Sequence, residues 1–440
     1  MTLTTPRHVI TPTPATRFLD ALFPQPRPFG IRLPDGTAMP GPESPPFTLV
    51  LNRDGALRSM FRYPLEMSLG HAYLRGDFDI EGDAVAAMGL LDVVSELTVS
   101  DLARLAGRWL RLSRAGRKTT PRDAARFSGQ RHSQARDQSA VRYHYDVGND
   151  FYRLFLDRRM VYSCAYFSTG AEDLDTAQER KLDYICRKLR LGPDQMFLDI
   201  GCGWGGLVIF AAERYGVQSL GITLSEEQAR LARERIAEAG LEGRVRVQMC
   251  DYRRLQAGPF DAIASVGMFE HVGRDQLPTY FRNLRRLLKP GGLILNQGIS
   301  SRHPDADGMG PIARRLRAWL MGQSRGRSRF RESYIFPDGE LEPLSIVNTE
   351  AERAGFEVRD VENLREHYAK TLRHWLARFQ AHRAEAIALT DPVMARLWRL
   401  YLAGSVFHFE AGKININQTL LALPVDGVVD LPPSRADLYD

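Results

Sequence analysis

The segment FLDIGCGWGG at residues 197–206 sets a run of glycines between a short apolar strand pattern and the helical pattern LVIFAAERYG. Glycine lets the backbone turn tightly and approach a ligand closely at such a position. Further strand and helix patterns alternate after it: VQSLGITLS, EEQARLARERIAEAG, VRVQMCDY, DAIASVGMF and LILNQGI. Alternating strands and helices indicate a parallel sheet covered by helices on both faces. We therefore predict an α/β fold, Rossmann-like, for this part of the chain.

The remainder of the chain offers room for further structure, because 440 residues suggest about two or three domains. Residues 113–140 are basic and almost free of apolar side chains, which predicts a flexible linker. We place an N-terminal domain at 1–112 and the α/β domain at 141–430. Within the first domain, the proline-rich residues 1–48 predict a frayed tail. Residues 84–113 predict helix, because their apolar positions recur at three- and four-residue spacing.

The positive net charge indicates an anionic partner but does not identify which kind. The net charge is +6 and the isoelectric point is about 9.1, which fits an anionic partner, either a nucleic acid or a lipid surface. No apolar run reaches the roughly 18 residues of a membrane-spanning helix, and the N-terminus lacks the apolar core of a signal peptide. The spacing of the four cysteines matches neither a zinc ribbon nor a disulfide framework. These features predict a cytoplasmic protein with reduced thiols and no metal.

The glycine-rich turn also predicts a nucleotide-like ligand. Its glycine spacing satisfies a dinucleotide fingerprint on paper, but that site needs an acidic residue about 20 residues further on. The second strand instead ends in residues 221–223, Gly-Ile-Thr, with no acid. Asp199, two residues before the first glycine, and Asp251 with Tyr252 after the third strand favour S-adenosylmethionine. We expect Asp251 at the adenine amino group and Tyr252 to offer a face for stacking.

Several motifs together resemble a known family, the cyclopropane-fatty-acyl-phospholipid synthases and the related mycolic acid methyltransferases. The GHAYLRGDFDIEGD segment also looks like that family's N-terminal domain, so the resemblance is nearly full length. It implies a Rossmann-like class I methyltransferase domain with a mainly parallel sheet, preceded by a smaller α+β, lipid-binding-like domain. The matching segments of the larger domain are YHYDVGNDFY (143–152), YSCAYF (162–167), FLDIGCGWGG (197–206), GITLSEEQ (221–228), CDYR (250–253), SVGMFEHVG (265–273), KPGG (289–292) and YIFPDGELEP (334–343).

The resemblance implies an activity and a cofactor. Members transfer a methyl or methylene group from S-adenosylmethionine to the double bond of an unsaturated acyl chain of a membrane phospholipid. The product would be a cyclopropane or a methylene- or methyl-branched fatty acid. In place of an acidic ribose clamp, the stretch from Thr223 would offer Gln228 as the polar contact. The cofactor-binding residues implied are Tyr162, Ser163, Asp199, Gly201, Cys202, Gly203, Gly205, Gly206, Thr223, Gln228, Asp251 and Tyr252.

The chemistry of an alkene sets further requirements. An alkene is a poor nucleophile, so the two groups must be held in line in a dry site. The carbocation that forms calls for aromatic faces and a carboxylate. Tyr162, Tyr166, Phe167 and Phe269 are candidates for the aromatic lining, although plain core packing is the stronger expectation for any single one of them.

A base must then remove a proton. In the family that the chain resembles, this base is a bound bicarbonate, and the matching residues here are Cys164, Glu270 and Tyr368. Two departures stand beside them: the usual histidine falls at Asn296 and a later cysteine at Ser405. Asparagine can hydrogen-bond an anion but cannot take up a proton or become positively charged. These five residues are the predicted catalytic set, and the two departures put ring closure in doubt more than methyl transfer.

Two other functions stay open beside the lipid enzyme. The same fold could methylate RNA or a small molecule, with the basic linker as an RNA contact. A non-catalytic lipid-binding relative would explain Asn296 and Ser405. Against these readings, YSCAYF and GMFEHVG are not RNA-recognition features, and GCGWGG, CDYR and Glu270 are intact.

The predicted partners are unsaturated phospholipid acyl chains and an anionic membrane surface, with no nucleic acid. Contact with the inner face of the membrane would be peripheral and transient. It would use the basic helix near Trp109 or the arginine-rich stretch 314–331, although both can equally be solvated surfaces. A homodimer is one of the assemblies that the sequence leaves open.

Overall fold

The computed structural model of this protein describes residues 12–114, 122–125, 127–145, 147–303, 310, 315, 318–319 and 328–438. The chain divides into two units. The bounds of the first are Met1–Ala124, Met309–Phe330 and Pro392–Phe407, and those of the second are Ala125–Gly308, Arg331–Asp391 and His408–Asp440.

The first unit contains a four-stranded sheet in the order β2-β1-β3-β4. Strand β1 runs parallel to β3, while β1 with β2 and β3 with β4 are antiparallel pairs. The unit is therefore mixed α+β. Its strands are β1 (Gly30–Arg32), β2 (Ala38–Met39), β3 (Phe47–Leu51) and β4 (Phe78–Gly82). Its helices before residue 124 are α1 (Pro14–Leu22), α2 (Ala56–Met60), α3 (Leu65–Leu74), α4 (Ala84–Met88), α5 (Leu90–Ser95) and α6 (Val99–Leu110).

The frayed tail predicted for residues 1–48 is wrong from Pro14 onward, because helix α1 begins there. Thr13 caps this helix with a reciprocal capping box, and Pro14 occupies its first position, where the missing N–H costs nothing. Phe18 and Leu22 lie one turn apart and are buried. The proline that lowered the periodicity of this stretch therefore starts a helix.

The predicted helix at 84–113 is three helices, α4 to α6, rather than one. Asp83 caps α4, and Thr98 caps α6 with a capping box. In the same unit the guanidinium of Arg58 lies over the Trp109 ring at 4.7 Å from its centroid. The Trp109 ring is thus partly covered by a cation from its own unit. Most of the stretch 314–331 lies outside the described residues.

The second unit is built on a seven-stranded sheet in the order β10-β11-β9-β8-β5-β6-β7. Every neighbouring pair from β9 to β7 is parallel, and β11 is antiparallel to both of its neighbours. The strands are β5 (Met196–Ile200), β6 (Gln218–Thr223), β7 (Val245–Met249), β8 (Phe260–Val266), β9 (Leu288–Ser301), β10 (Glu357–Asn363) and β11 (Ile414–Ala422).

Helices lie on both faces of this sheet. Phe197 belongs to the apolar core on one face and its neighbour Leu198 to the core on the other, as alternation along a strand requires. The helices of the second unit are α7 (Gln134–Tyr145), α8 (Asn149–Arg153), α9 (Leu174–Lys188), α10 (Gly206–Tyr215), α11 (Glu226–Glu238), α12 (Leu277–Leu287), α14 (Leu344–Arg353), α15 (Arg365–Ala381) and α16 (Arg383–Leu389). Helices α13 (Arg329–Tyr334) and α17 (Pro392–Glu410) have residues in both units.

The predicted α/β architecture is confirmed, with a mainly parallel sheet and helices at the predicted segments. Residues 134–140, which the sequence places in the linker, form the first half of α7, and residues 115–121 and 126 of that linker lie outside the described residues. Strands β10 and β11 were not predicted. Across the described ranges, no helix combines the length and apolarity needed to cross a membrane.

Candidate active site

A cavity opens where strands β5, β6 and β8 end, at the edge of the sheet where ligands bind in open parallel sheets. Its wall contains most of the residues that the sequence predicts for the cofactor. Gly205 is the exception, since its Cβ position faces Ala232 and Ile209 instead. The predicted cofactor residues in the wall are Tyr162, Ser163, Asp199, Gly201, Cys202, Gly203, Gly206, Thr223, Gln228, Asp251 and Tyr252.

The glycine-rich turn after β5 has a backbone that only glycine adopts without strain. Gly201 has a φ of +80°, and a Cβ there would lie 2.8 Å from the Cβ of Met268. Gly203 has a φ of +53°, and a Cβ there would meet no described atom within 4 Å. The open space before Gly203 is thus a cradle that a ligand can fill, and α10 begins directly after the turn.

Asp199 closes one side of the cavity. Its side chain is 3% exposed, and its Oδ1 is buried without a hydrogen-bond partner among the described residues. Burial raises the pKa of Asp199 to about 7, and the nearby Lys181 ammonium limits the rise. A buried carboxylate with an open oxygen is a ready acceptor for a donor on a ligand.

A neutral pair stands where a dinucleotide site would have an acid. Thr223, at the end of β6, donates from its Oγ1 to Oε1 of Gln228 at 2.7 Å, and both side chains are buried. Ser225 accepts the Gln228 backbone N–H at 3.3 Å as the cap of α11. Since the amide oxygen of Gln228 is engaged, its NH₂ group is the part left to contact a ligand hydroxyl.

Asp251 is held by an arginine rather than left open. One of its oxygens accepts the backbone N–H and Nε of Arg253, both at 2.9 Å, and the other accepts Nη2 at 2.6 Å. The same Nη2 donates to Asp137 of α7 at 2.8 Å. Tyr252 is buried and meets the Tyr280 ring edge to face at 5.5 Å. Arg253 therefore orients Asp251 and ties helix α7 to this end of the cavity.

Tyr162 lies within a cluster of buried aromatic rings. Its ring stacks on Trp375 at 5.0 Å and meets Tyr152 at 5.3 Å. The other aromatic candidates lie elsewhere: Tyr166 stacks on His367 at 4.6 Å, and Phe269 packs on Tyr280. Within the described chain, the wall of the cavity includes Tyr162 and none of the other three.

Several residues in the wall were missed by reasoning from the sequence. His271, next to Glu270, stacks on Phe336 at 4.4 Å, and burial lowers the pKa of His271 to about 3, so it is neutral. These residues come from segments distant from the glycine turn, and packing alone brings them to it. The missed wall residues with polar or aromatic side chains include Asp137, Tyr145, Lys181, Arg253 and His271.

Glu270 is a buried carboxylate near the end of β9. It is 3% exposed, and its Oε1 accepts the Ile299 N–H at 2.7 Å, while Oε2 is buried without a partner among the described residues. Burial raises the pKa of Glu270. The carboxyl group is therefore held at one oxygen and open at the other, as a proton acceptor requires.

Cys164 and Tyr368 meet around one carbonyl. The Leu364 oxygen accepts the Tyr368 N–H at 2.9 Å and lies 3.7 Å from Sγ of Cys164. Burial raises the pKa of the Cys164 thiol well above its usual range, so it is a neutral thiol. The centroid of the Tyr368 ring lies 6.0 Å from that of Trp375, and Trp375 in turn stacks on Tyr162. One ring therefore separates Tyr368 from Tyr162.

The two departures from the family pattern occupy different surroundings. Asn296 on β9 is buried and accepts the Tyr280 hydroxyl at 2.9 Å through its Oδ1. Ser405 lies on α17 in a segment of the first unit and is half-buried. The Cys164 thiol and the Tyr368 backbone therefore share the Leu364 oxygen, and no hydrogen bond in the described chain joins Asn296 to Cys164.

The fold and the cavity together define the class of protein. A seven-stranded sheet with one antiparallel strand, a glycine turn after its interior strand β5 and a buried open carboxylate beside that turn fit S-adenosylmethionine. The residues matching the family model "Mycolic acid cyclopropane synthetase" are 132–419. The chain belongs to this family and is an S-adenosylmethionine-dependent methyltransferase.

Similar proteins support the same assignment. A probable fatty acid methyltransferase of Pseudomonas putida is 40% identical over 94% of this chain and 96% of its own length. The tuberculostearic acid methyltransferase UfaA1 of Mycobacterium tuberculosis is 35% identical over 88% of this chain and 86% of its own. The crystal structure of the mycolic acid cyclopropane synthase CmaA1 complexed with SAH and CTAB is 35% identical, with a TM-score of 0.59, over 65% of this chain and 98% of that one.

Proposed function

We propose that this methyltransferase modifies the double bond of an unsaturated fatty acyl chain in a membrane phospholipid. The observation that carries the proposal is the aromatic surround of Tyr162 in the wall of the cofactor cavity, where Tyr152 and Trp375 are at most 1% exposed. Similarity to proteins named as fatty acid methyltransferases supports an acyl substrate. The net charge of +6 supports contact with an anionic membrane surface on the cytoplasmic side.

The chain supplies the surroundings that this reaction needs. S-adenosylmethionine, when bound, supplies an electrophilic methyl group. Attack by the alkene breaks the sulfur–methyl bond and leaves a carbocation on the acyl chain. The Tyr162 ring in the wall, backed by the stacked Trp375 ring, stabilises positive charge while excluding water. No strong base is needed before this step, so the walls need only be dry and aromatic.

Glu270 takes the proton in the second step. Its Oε1 is fixed by the Ile299 N–H, and its open Oε2 accepts the proton. Loss of a proton from the transferred methyl group with closure of the C–C bond gives a cyclopropane. If a 1,2-hydride shift first moves the cation to the methylated carbon, loss of a methyl proton forms a C=C bond and gives a methylene branch. A saturated methyl branch requires a separate hydride donor.

Bicarbonate is the base that the resemblance implies, and the residues present supply only part of its site. Cys164, Glu270 and Tyr368 match the family pattern, but Asn296 has its Oδ1 engaged by Tyr280 and carries no titratable group. We therefore assign the proton to Glu270 and route no step through bicarbonate. An activity that rises strongly with added bicarbonate would overturn this assignment.

The substrate is tested by expressing the chain in a host rich in monounsaturated phospholipids. Fatty acid methyl esters are then analysed by mass spectrometry, and unsaturated chains should gain the mass of one CH₂ group for a cyclopropane or methylene product. High-field ring protons or vinylic protons in the NMR spectrum identify which product forms. Unchanged fatty acids, in a protein that still binds S-adenosylhomocysteine, would refute the acyl substrate and favour RNA or a small molecule.

The role of Glu270 is tested by Glu270→Gln, which keeps the shape and removes the base. We expect turnover to fall by about 100-fold or more, with affinity for S-adenosylhomocysteine unchanged. Glu238→Gln, an exposed position on α11, is the matched control and should behave as wild type. Normal turnover in the Glu270 variant would exclude it as the base.

A further inference from the structure

Lys181 on α9 is a buried lysine that faces the cofactor cavity. It is 1% exposed, lies in the cavity wall, and donates from Nζ to Oγ of Ser163 at 2.8 Å. Among the residues that the structure describes, no carboxylate lies within the 4.0 Å ion-pair distance of this Nζ. Its only described hydrogen bond is thus to a neutral hydroxyl, and the charges of Asp157 and Asp199 reach it only from beyond ion-pair distance.

A second lysine on the same helix shows the contrast. Lys188, two turns further along α9, is also 1% exposed, but its Nζ lies 2.6 Å from Glu362 and 3.4 Å from Asp360 and donates to Gln418 at 3.0 Å. That ammonium is fully compensated by the protein. Uncompensated buried charges are costly, so a fold keeps them where a ligand completes the pairing.

Asp199 provides the opposite charge in the same wall. It makes no ion pair with Lys181 within 4.0 Å in the described part of the chain, and its Oδ1 has no partner. The cavity therefore presents one buried cation and one buried anion, each with open capacity. A ligand that carries both a carboxylate and an ammonium satisfies the two together, and an α-amino acid is such a zwitterion.

We propose that Lys181 binds the carboxylate at the amino-acid end of the cofactor, opposite an ammonium held by Asp199. The proposal rests on the use of S-adenosylmethionine that the proposed function requires. Ser163 lies in the cavity wall beside the lysine, so its hydroxyl joins the same carboxylate while the hydrogen bond from Lys181 fixes its orientation. Burial lowers the pKa of Lys181 to about 8, and a bound carboxylate restores its charge.

The competing explanation is that Lys181 only balances Asp157. That carboxylate is buried and accepts the backbone N–H groups of Val161 at 2.8 Å and Arg159 at 2.9 Å. In that case Lys181 would support the loop before Tyr162 and would have no contact with a ligand. The two explanations predict different effects of removing the ammonium: only the first lowers affinity specifically for ligands that carry the amino-acid carboxylate.

The test compares two ligands by isothermal titration calorimetry. S-adenosylhomocysteine and 5′-methylthioadenosine share the adenosine and the thioether, and the second lacks the amino-acid end. We expect Lys181→Met to lower the affinity for S-adenosylhomocysteine by about 10- to 100-fold, as the loss of a charged hydrogen bond does. The affinity for 5′-methylthioadenosine should be unchanged. Equal weakening of both ligands, or of neither, would overturn the proposal.

Two further measurements separate the explanations. Asp157→Asn keeps Lys181 and should leave the ratio of the two affinities as in wild type; a ratio lowered as in Lys181→Met would assign the lysine to Asp157. If Lys181→Met does not fold, the wild-type chain is titrated with decarboxylated S-adenosylhomocysteine, which should bind about 10-fold weaker or worse than the parent. Equal binding of that analogue refutes the role of Lys181. A wild-type chain that binds neither S-adenosylhomocysteine nor 5′-methylthioadenosine would remove the proposed function itself, together with this proposal.

Discussion

Replacing Asp199 with asparagine removes a carboxylate whose ionisation the fold opposes. Burial raises its pKa from 3.8 to about 7, although Lys181 limits the rise. Because the folded pKa lies above the unfolded one, the stability that Asp199 contributes is present below about pH 4 and is lost as the pH rises through 7. The folded and unfolded pKa values of Asp199 differ by about 3 units, and each unit is worth about 1.4 kcal/mol. The free energy of unfolding therefore falls by about 4 kcal/mol.

Urea unfolding of the ligand-free wild type and of Asp199→Asn, from pH 4 to pH 8, measures this effect. The free energy of unfolding of the wild type should fall relative to the variant by up to about 4 kcal/mol across that range. Lys181 interacts with Asp199 by charge, and burial lowers its own pKa from 10.5 to about 8, so its contribution to stability rises above pH 8.

Binding should move in the opposite direction to stability. At pH 8 the Asp199→Asn variant should be the more stable ligand-free protein and the weaker binder of S-adenosylhomocysteine, because the acceptor for the ligand ammonium has lost its charge. Stability curves for the two proteins that run parallel from pH 4 to pH 8 would refute the reasoning, since they would mean that Asp199 does not titrate differently in the folded state.

Three further substitutions test other parts of the site. Gly201→Ala should abolish detectable binding of S-adenosylhomocysteine, because the new Cβ would lie 2.8 Å from a neighbouring side chain. The control Gly240→Ala has a φ of +66° and open space around it, so it should lower the free energy of unfolding by only about 1 kcal/mol. Asn296→Ala should lower the free energy of unfolding by about 2 kcal/mol, because the buried Tyr280 hydroxyl loses this acceptor. The loss should be smaller in a Tyr280→Phe background, which a double-mutant cycle by urea unfolding measures. Ser405→Ala should lose less product than the glutamine variant at the proposed base; complete loss would contradict the proposed roles.

The sequence predicted the strands whose interiors are apolar and missed those whose interiors are polar. Strands β5 and β8 read as apolar runs between turns and were predicted. Strand β11 was not, because Asn417 and Gln418 interrupt its pattern although both are buried. Asn417 bonds Ser300, and Gln418 bonds Gln297 and Lys188. Hydropathy cannot distinguish such paired polar groups from solvent-facing ones, so the strand is hidden from a single sequence.

The candidate site shows the same limit on a smaller scale. The residues predicted for the cofactor follow strands or belong to short motifs, and adjacency along the chain marks them. Lys181 is separated from Ser163 by the start of α9, and only the packing of that helix brings the two together. One signal was available: Lys181 shares a helical stripe with the buried residues Ala177 and Ile185, a position where a solvated lysine is not expected.

The two ends of the cavity differ in what they require from a ligand. At the Asp251 end, Arg253 already satisfies both carboxylate oxygens and also bonds Asp137, so a ligand there adds contacts to a completed network. At the other end, Lys181 and Asp199 carry opposite charges without an ion pair between them in the described chain. A ligand that reaches only the first end leaves the costly groups unchanged, whereas one that reaches both removes their desolvation penalty. Discrimination between the intact cofactor and adenosine fragments should therefore arise at the amino-acid end, and the loss of either charge there should narrow the difference in affinity between S-adenosylhomocysteine and 5′-methylthioadenosine.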